Sequence, residues 1–229
     1  MFLNEDIAIS SSKILLVPYE ARHVPIYHAW MKSEEIRLAT ASELLSLAEE
    51  HNMQKSWRND RDKLTFIACK PSSQPVAKII AGVQDSANLL IGDVNLFLFP
   101  DEKDPCGCVG ELELMIASLE AQSQGYGRAL ILVFLYYIQT HLDKILAEYQ
   151  GDSKNNVHLL KLRAKIHYKN LKSIRLFESI GFLRVDTTPN YFGELDFTLN
   201  DFENVGKTVS LLKKYHIKDY IEIPYLDHK

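Results

Sequence analysis

Two glycines separated by one residue, Gly125 and Gly127, stand where a strand-like segment gives way to a long apolar one. Glycine lets the backbone turn tightly and approach a ligand without a Cβ in the way. A helix that begins directly after such a turn presents unpaired N–H groups and the positive end of its dipole. Phosphate groups are common ligands of this arrangement. The segment, QSQGYGRA at residues 122–129, therefore predicts a site for a phosphate-bearing cofactor.

The residues after the glycines exclude two common phosphate-binding motifs. A dinucleotide fingerprint has a third glycine three residues after the second, and this chain has Leu130 there. A Walker P-loop continues with lysine and a hydroxyl residue, whereas Arg128 and Ala129 follow here. On these residues alone, a helix that starts at a Gly-x-Gly turn without any ligand stays open as an alternative.

The segments on either side of the turn predict a strand and a second helix. Residues 110–117, GELELMIA, alternate glutamate or methionine with leucine or isoleucine, which is the period-two pattern of a strand with two unlike faces. Residues 170–182, NLKSIRLFESIGF, indicate a helix that begins at asparagine and ends at Gly-Phe. Strand, phosphate turn, long helix, strand and second helix make a mixed α/β order.

Together these segments resemble the two signatures of the GCN5-related N-acetyltransferase (GNAT) superfamily. The turn matches Gln-x-x-Gly-x-Gly, and residues 170–182 match Asn-x-x-Ser/Ala-x-x-Leu-Tyr/Phe-x-x-x-Gly-Phe. Shorter segments within residues 1–200 are similar to the N-acetyltransferase 9-like branch, among them VPY at 17–19, YHAWM at 27–31, MQKSW at 53–57 and GDVNLFL at 92–98. Residues 201–229 carry no matching pattern.

The resemblance implies an α/β (α+β) domain of the GNAT fold. We expect a mixed central sheet of about six to seven strands flanked by helices, with a splayed strand pair that holds acetyl-CoA. Residues 1–200 are expected to form one acetyltransferase domain, and residues 201–229 an extension that is part of it or packs on it. The expected strands cover 13–17, 64–69, 90–99, 110–117, 157–166, 182–187 and 191–199, and the expected helices 21–32, 46–59, 126–149 and 170–180.

The resemblance also implies contacts with the cofactor. Backbone groups at 115–117 would pair with the pantetheine arm, and one amide would polarise the thioester carbonyl. Backbone amides of the turn would hold the pyrophosphate, and Asn170, helped by Ser173, would bond the cofactor from the other side. The complete cofactor-binding set is Met115, Ile116, Ala117, Gln122, Ser123, Gln124, Gly125, Tyr126, Gly127, Arg128, Ala129, Asn170, Ser173 and Phe177.

Acetyl transfer to an amine needs the amine without its proton. At pH 7 a lysine amine is free in only about one molecule in 2,500, whereas roughly a tenth of α-amino groups are free. Glu111 and Glu113 lie on one strand face near Met115 and are candidate bases, with a solvated strand face as the alternative. Many relatives have a tyrosine where this chain has Phe177, which has no proton to donate. Tyr168 or a water is the candidate acid in its place.

The acceptor groove is expected between the early helices and the closing strands. Acidic and aromatic side chains there would suit a cationic amine, and the candidates are Trp30, Glu34, Glu43, Trp57 and Tyr191. Aromatic residues at helical spacing are also common in cores. Asp93 and Asn95 share one strand face, and they either reach toward the site or form a buried structural pair.

Composition limits the remaining classes. The chain has 229 residues, of which 46% are hydrophobic and 24% charged, which is ordinary for one globular domain. The net charge of −4 argues against a general nucleic-acid binder. The apolar run at 129–138 is about half a membrane span, and the first residues lack the pattern of a signal peptide. Three cysteines make neither a disulfide framework nor a metal site, which fits a reducing compartment such as the cytoplasm.

We therefore expect an N-acetyltransferase that moves acetyl from acetyl-CoA directly to a primary amine, on a protein N-terminus or a lysine. Direct transfer is favoured because no cysteine lies near the motifs to act as a nucleophile. One alternative is a non-catalytic protein-binding module of the same fold, which the resemblance links to tubulin and microtubules. Another is an acetylase of a small amine, such as a polyamine or an aminoglycoside.

Overall fold

The computed structural model describes residues 1–72, 74, 76–152 and 156–226. Within these residues ten strands form one mixed sheet and seven α-helices flank it. The strands are β1 (Ile7–Ser10), β2 (Leu15–Pro18), β3 (Lys63–Cys69), β4 (Ile79–Ile80), β5 (Leu90–Pro100), β6 (Gly107–Ile116), β7 (His158–His167), β8 (Leu183–Arg184), β9 (Glu194–Leu199) and β10 (Ile221–Leu226). The helices are α1 (Val24–Met31), α2 (Glu34–Thr40), α3 (Leu47–Asn59), α4 (Tyr126–Thr140), α5 (Leu142–Gln150), α6 (Leu171–Ser179) and α7 (Val205–Lys214).

The sheet has the order β4-β10-β1-β2-β3-β5-β6-β7-β9-β8. Its neighbouring strands are antiparallel except at two places, β6 with β7 and β10 with β4, which are parallel. The predicted class, a mixed sheet flanked by helices, is confirmed. The count of about six to seven strands was too low, because β1, β4 and β10 lengthen one side of the sheet.

The two faces of the central strands differ sharply in chemistry. The face toward α4, here the core face, is apolar: Leu96, Leu112 and Phe66 pack against the helix, and the Phe66 ring meets that of Phe134 edge-on at 5.9 Å. The opposite face, here the polar face, carries Asp93, Asn95, Glu111 and Glu113 at alternate positions of β5 and β6. Helices α1 and α3 cover part of the polar face through side chains that include Tyr27, Met31, Met53 and Trp57.

Helix α2 was not expected, although a local signal explains it. The side chain of Ser33 accepts a hydrogen bond from the backbone N–H of Ile36, and two glutamates occupy the first turn, where the helix dipole favours negative charge. Helix α2 ends at Thr40, which the sequence placed in a polar connector, and its C-cap Ala41 lies in the left-handed region. Helix α3 begins with a capping box between Ser46 and Glu49.

The long helix expected to reach residue 149 is broken at His141 into α4 and α5, whose axes differ by 73°. Side chains at the break bond the last carbonyl groups of α4: the Thr140 hydroxyl to Tyr136 and Tyr137, and the His141 ring to Tyr137. Such local bonds compete with helix continuation. No single helix among the described residues is long and apolar enough to cross a membrane; α4 and α5 pass that test only as a bent pair.

The segment after residue 200 folds onto the sheet. Strand β10 lies between β1 and β4 and pairs with β1 from Ile7↔Pro224 to Ser10↔Ile221. The Tyr225 hydroxyl donates to Asp85 at 2.6 Å, and His23 Nε2 lies 2.9 Å from the same carboxylate oxygen. His23 Nδ1 accepts a hydrogen bond from the Glu20 N–H, so the ring hydrogen is on Nε2, which donates to Asp85. This buried network joins the tail to the first helical turn and to the long β3–β5 connection.

Candidate active site

Strands β6 and β7 pair along only half of their length. Their paired residues run from Gly107↔His158 to Glu111↔Arg163. Beyond that point β6 continues to Ile116 along β5, while β7 continues to His167 along β9. The two strands part within this described region, and we call the space between residues 112–116 and 164–167 the β6–β7 gap. It leaves backbone groups of two parallel strands without each other as partners.

The glycine turn lies at the end of this gap. The Gln122 side chain donates from Nε2 to the Ile116 carbonyl at 3.0 Å, which fastens the turn to the last residue of β6. Gly125 has φ +84°, a conformation that favours glycine, and it immediately precedes α4. A Cβ on Gly127 would lie 3.4 Å from Leu176 of α6 and 3.8 Å from Ile116. The start of α4 is therefore packed between the end of β6 and α6.

The first turn of α4 can receive an anion. No side chain caps it, and the first N–H groups of an α-helix have no partner within the helix. The preceding residues, Ser123 to Gly125, are exposed. Lys13, from the turn between β1 and β2, places its Cε 3.9 Å from the point where a Gly125 Cβ would stand, and its Nζ is 5.3 Å from the Tyr126 ring centroid. A helix dipole and a cation thus act on the same place.

Lys13 was missed by the sequence analysis. It lies more than a hundred residues before the turn, on an exposed β-hairpin, and no local pattern connects the two. By contrast, Arg128 faces the protein: its guanidinium stacks 4.2 Å from the Tyr215 ring centroid and donates to Ser179 at 3.3 Å. Lys13 is therefore a cation beside the turn, whereas Arg128 joins α4 to α6 and to the end of α7.

The remaining cofactor candidates lie at α6 and at the end of β6. Asn170 caps α6 by accepting from the Ser173 N–H at 3.1 Å, which leaves its amide Nδ2 as a donor outside the cap. Phe177 is almost fully buried and meets the Phe182 ring edge-on at 5.0 Å, so it packs in the core. The Ala117 N–H donates to the Ile91 carbonyl at 2.8 Å. The backbone N–H and C=O groups of successive strand residues point to opposite sides of the strand. Because those of Ala117 point to β5, the backbone groups of Ile116 point to the β6–β7 gap.

The two glutamates of β6 have different surroundings. Glu111 is buried and lies where β6 and β7 still pair; its Oε2 accepts from Arg163 Nε at 2.6 Å and lies 3.6 Å from Lys165 Nζ. Two cations therefore pair with this carboxylate. Glu113, two residues on, lies just beyond the last paired residues and keeps an exposed surface. Of the two, Glu113 is therefore the one with an oxygen free to meet a substrate at the gap.

The surroundings of Glu113 adjust it to proton transfer near neutral pH. Desolvation by the neighbouring strands is the largest influence, and the carboxylates of Glu111 and Asp93 add repulsion, so that the pKa of Glu113 is raised to about 7. Lys165 acts in the opposite direction and Glu194 in the same one. A general base works best when its pKa lies near the working pH.

The other predicted side chains surround the gap at various distances. Tyr168 is exposed at the end of β7, with its ring 4.9 Å from that of His167. Trp30 packs on Tyr27, and Trp57 meets Phe97 edge-on at 5.5 Å, so both are partly buried. Three candidates are exposed: Glu34 on α2, Glu43 before α3, and Tyr191 before β9, whose ring meets that of Phe192 edge-on at 5.3 Å. The structure does not bring these five substrate candidates together into one cluster.

Comparison with known proteins identifies the family. The profile of the acetyltransferase (GNAT) domain matches residues 13–183. The chain belongs to the GNAT acetyltransferase family. The alpha/beta-tubulin-N-acetyltransferase 9 of Drosophila melanogaster is 40% identical over 202 residues, which cover 86% of this chain and 94% of that protein. The human protein of the same name is 37% identical over 231 residues and covers 99% and 97% of the two chains.

Solved structures support the fold. The spermidine N-acetyltransferase of Vibrio cholerae, solved with CoA and spermine, has a TM-score of 0.59 at 18% identity and covers 82% of this chain and 94% of that one. The predicted membership, enzyme class and cofactor are confirmed: the chain is an acyltransferase that uses acetyl-CoA. The glycine turn, the unpaired amides of α4 and the β6–β7 gap fit that cofactor, because they offer its phosphates an anion site and its arm a strand with free backbone groups.

Proposed function

We propose that this protein transfers the acetyl group of acetyl-CoA to an amine of tubulin, with Glu113 as the general base. The observation that carries the proposal is the position of Glu113, which stands where β6 and β7 part and has a pKa raised to about 7. Two relatives, each covering more than four fifths of the chain, are named alpha/beta-tubulin-N-acetyltransferase 9, and this supports a protein acceptor.

The chemistry follows from the protonation states. Acetyl-CoA supplies the acetyl group as an activated thioester. The acceptor arrives as an ammonium group, which the carboxylates around the gap attract. Glu113 removes one proton, and the neutral amine then has the lone pair that attack on the carbonyl needs. Since the pKa of Glu113 is raised to about 7, the base can accept a proton at neutral pH and can also release it.

The cofactor would be held by the residues around the turn. Backbone amides at the start of α4 and the Lys13 ammonium would bind the phosphates, the backbone of Ile116 would bond the arm, and Asn170 Nδ2 would donate from the α6 side. Phe177 in the core cannot return a proton to the thiolate. Tyr168, exposed at the end of β7, stays the candidate acid, with water as the alternative. A tubulin acceptor would be met in the cytoplasm, where the three free cysteines stay reduced.

The proposal is tested by incubating purified αβ-tubulin with the protein and acetyl-CoA and mapping new acetyl groups by mass spectrometry. We expect acetylation at a defined N-terminal or lysine amine, and its loss with Glu113→Gln. A matched control is Glu203→Gln, an exposed carboxylate after β9 and outside the gap, which should acetylate tubulin like the wild type. A protein that binds acetyl-CoA but acetylates neither αβ-tubulin nor its terminal peptides would refute the tubulin proposal.

A further inference from the structure

Behind Glu113, on the polar face, lies a group of side chains that are each less than a tenth exposed. We call them the buried polar cluster: Tyr19, Glu50, Thr65, Asp93 and Asn95. Four of them carry an oxygen that has no hydrogen-bond partner within the described residues, namely Tyr19 Oη, Glu50 Oε2, Thr65 Oγ1 and Asn95 Oδ1. Burying a polar group without a partner costs free energy, and few such groups are usual in one domain.

Strand register connects the cluster to Glu113. Thr65 of β3 lies opposite Asn95 of β5, and Asn95 lies opposite Glu113 of β6, so the three form a row across the sheet. Side chains opposite each other on one face are close enough to interact. The Asn95 amide donates from Nδ2 to Asp93 Oδ2 at 2.8 Å. Asn95 therefore holds the Asp93 carboxyl and stands directly beside the base.

The cluster continues from β3 toward the surface. Tyr19 and Thr65 line a small cavity of about 10 Å³, close to the volume that one water molecule needs. Burial raises the pKa of Tyr19, and the charges of Glu50 and Asp93 act on the same hydroxyl, so both carboxyl groups lie near it. His28, which is partly exposed, places its Nδ1 4.0 Å from Glu50 Oε1. The polar groups thus extend from the gap to a histidine at the surface.

We propose that Asp93 is a positioning residue for Glu113, and that the buried polar cluster receives the proton that Glu113 removes from the acceptor amine. The inference rests on the proposed acetyl transfer and deepens it. The proton balance is simple. One N–H bond of the ammonium breaks and one O–H bond forms on Glu113; that proton then moves to the Asp93 carboxylate, and Glu113 is again an anion for the next amine. The proton finally leaves the cluster to water, and Asp93 is again a carboxylate.

One further observation favours this role over a purely structural one. Complete burial raises the pKa of Asp93 to about 7, against a smaller lowering by the Asn95 bond, so Asp93 and Glu113 hold a proton with similar strength. Groups of similar pKa in electrostatic contact titrate as a pair. Outside the cluster, the titratable groups that face its members include Tyr27 and His28 from α1 and Glu113 from β6.

The test compares the pH dependence of kcat/KM in the wild type and in Asp93→Asn. The Asp93 charge helps to raise the pKa of Glu113, so its removal should move the rising limb of the profile to lower pH. We expect kcat to fall roughly tenfold or more, with the KM for acetyl-CoA unchanged. Loss of the Asp93 charge alone would move the limb but leave kcat on its high-pH plateau at the wild-type value, and that result would overturn the proposal.

Two further variants keep the outcome clear if Asp93→Asn folds poorly. Thr65→Val keeps the shape of the side chain and removes only the unpartnered hydroxyl, so we expect a lower kcat without a loss of unfolding free energy. A wild-type kcat would count against a role of the cluster in proton transfer.

Asp196→Asn removes a carboxylate of β9, across the gap, and should leave the rising limb of the pH profile in place. An equal shift in that variant would show that the limb reports net charge alone and would overturn the proposal. A wild type without acetyl transfer would refute both the proposed function and the inference.

Discussion

The core face and the polar face of the same strands differ in how they treat polar atoms. On the core face, Leu96, Leu112 and the side of α4 that packs on them are buried and apolar. On the polar face, one residue away along each strand, Asp93 and Asn95 are as deeply buried and Glu113 stands beside them. A sheet built for stability alone would have apolar side chains on both covered faces, because burying a carboxylate without a cation costs several kcal/mol.

The difference indicates a division of labour. The core face fixes the position of the strands and the start of α4, and so places the glycine turn at the end of the β6–β7 gap. The polar face gives up stability for groups whose protonation can change near neutral pH. Four predictions test this contrast, from the largest expected effect to the smallest.

The largest effect, a loss of kcat, is expected from Glu113→Gln. The glutamine has nearly the same shape but cannot accept the proton, so we expect kcat to fall by about 10²- to 10⁴-fold. Acetyl-CoA should bind with unchanged affinity, because the turn and α4 lie on the other side of β6. Steady-state kinetics and calorimetric titration measure the two quantities. A rate within threefold of the wild type would show that Glu113 is not the base.

Truncation on the core face should cost stability rather than chemistry. Phe134 is completely buried against Phe66, and Phe134→Ala should lower the free energy of unfolding by about 3–5 kcal/mol. Phe97→Ala, on the partly open polar face, should cost less than half as much. Urea denaturation of both variants makes the comparison. Equal losses would mean that the two faces contribute alike to stability.

The pH dependence of stability should differ between the wild type and Asp93→Asn. The pKa of Asp93 is about 7 in the folded protein and near 3.9 in the unfolded chain, so the folded state binds more protons between these values. Wild-type stability therefore falls as pH rises through this range. Relative to the variant, the wild type should lose up to about 3 kcal/mol from pH 5 to pH 8. Denaturation curves at both pH values measure this loss. A difference in unfolding free energy between the wild type and the variant that is the same at pH 5 and pH 8 would contradict the prediction.

The smallest effect concerns the turn, and two glycines make a matched pair. Gly125 (φ +84°) and Gly82 (φ +80°) both have room for a Cβ, so Gly125→Ala and Gly82→Ala should each cost about 1 kcal/mol of stability. Only Gly125→Ala should weaken acetyl-CoA, by roughly tenfold, because its methyl group stands where the phosphates approach. Thermal unfolding of each variant with and without acetyl-CoA distinguishes Gly125→Ala from Gly82→Ala. Equal stabilisation would place the cofactor elsewhere.

The sequence predicted the features that arise from local patterns. The alternation in β6, the start of α4 after Gly125 and the cap at Asn170 all lie within a few residues of their signals. What it missed depends on distant pairing. Strand β10 joins β1 across more than two hundred residues, and Lys13 reaches the turn from more than a hundred residues before it. Asp93 and Asn95 were recognised as sharing a face, but only the register with Glu113 shows what they face.

The most direct test of the division between the two faces is the initial rate of acetyl transfer by the wild type as a function of pH. Saturating acetyl-CoA and the amine mapped on tubulin are the conditions of choice. The proposed base, Glu113, would act as an anion and its pKa is raised to about 7, so kcat/KM should rise through about pH 7 and then level off. A rate that is flat from pH 6 to pH 9, or one that rises only toward the pKa of the free amine, would show that no group of the polar face removes the proton.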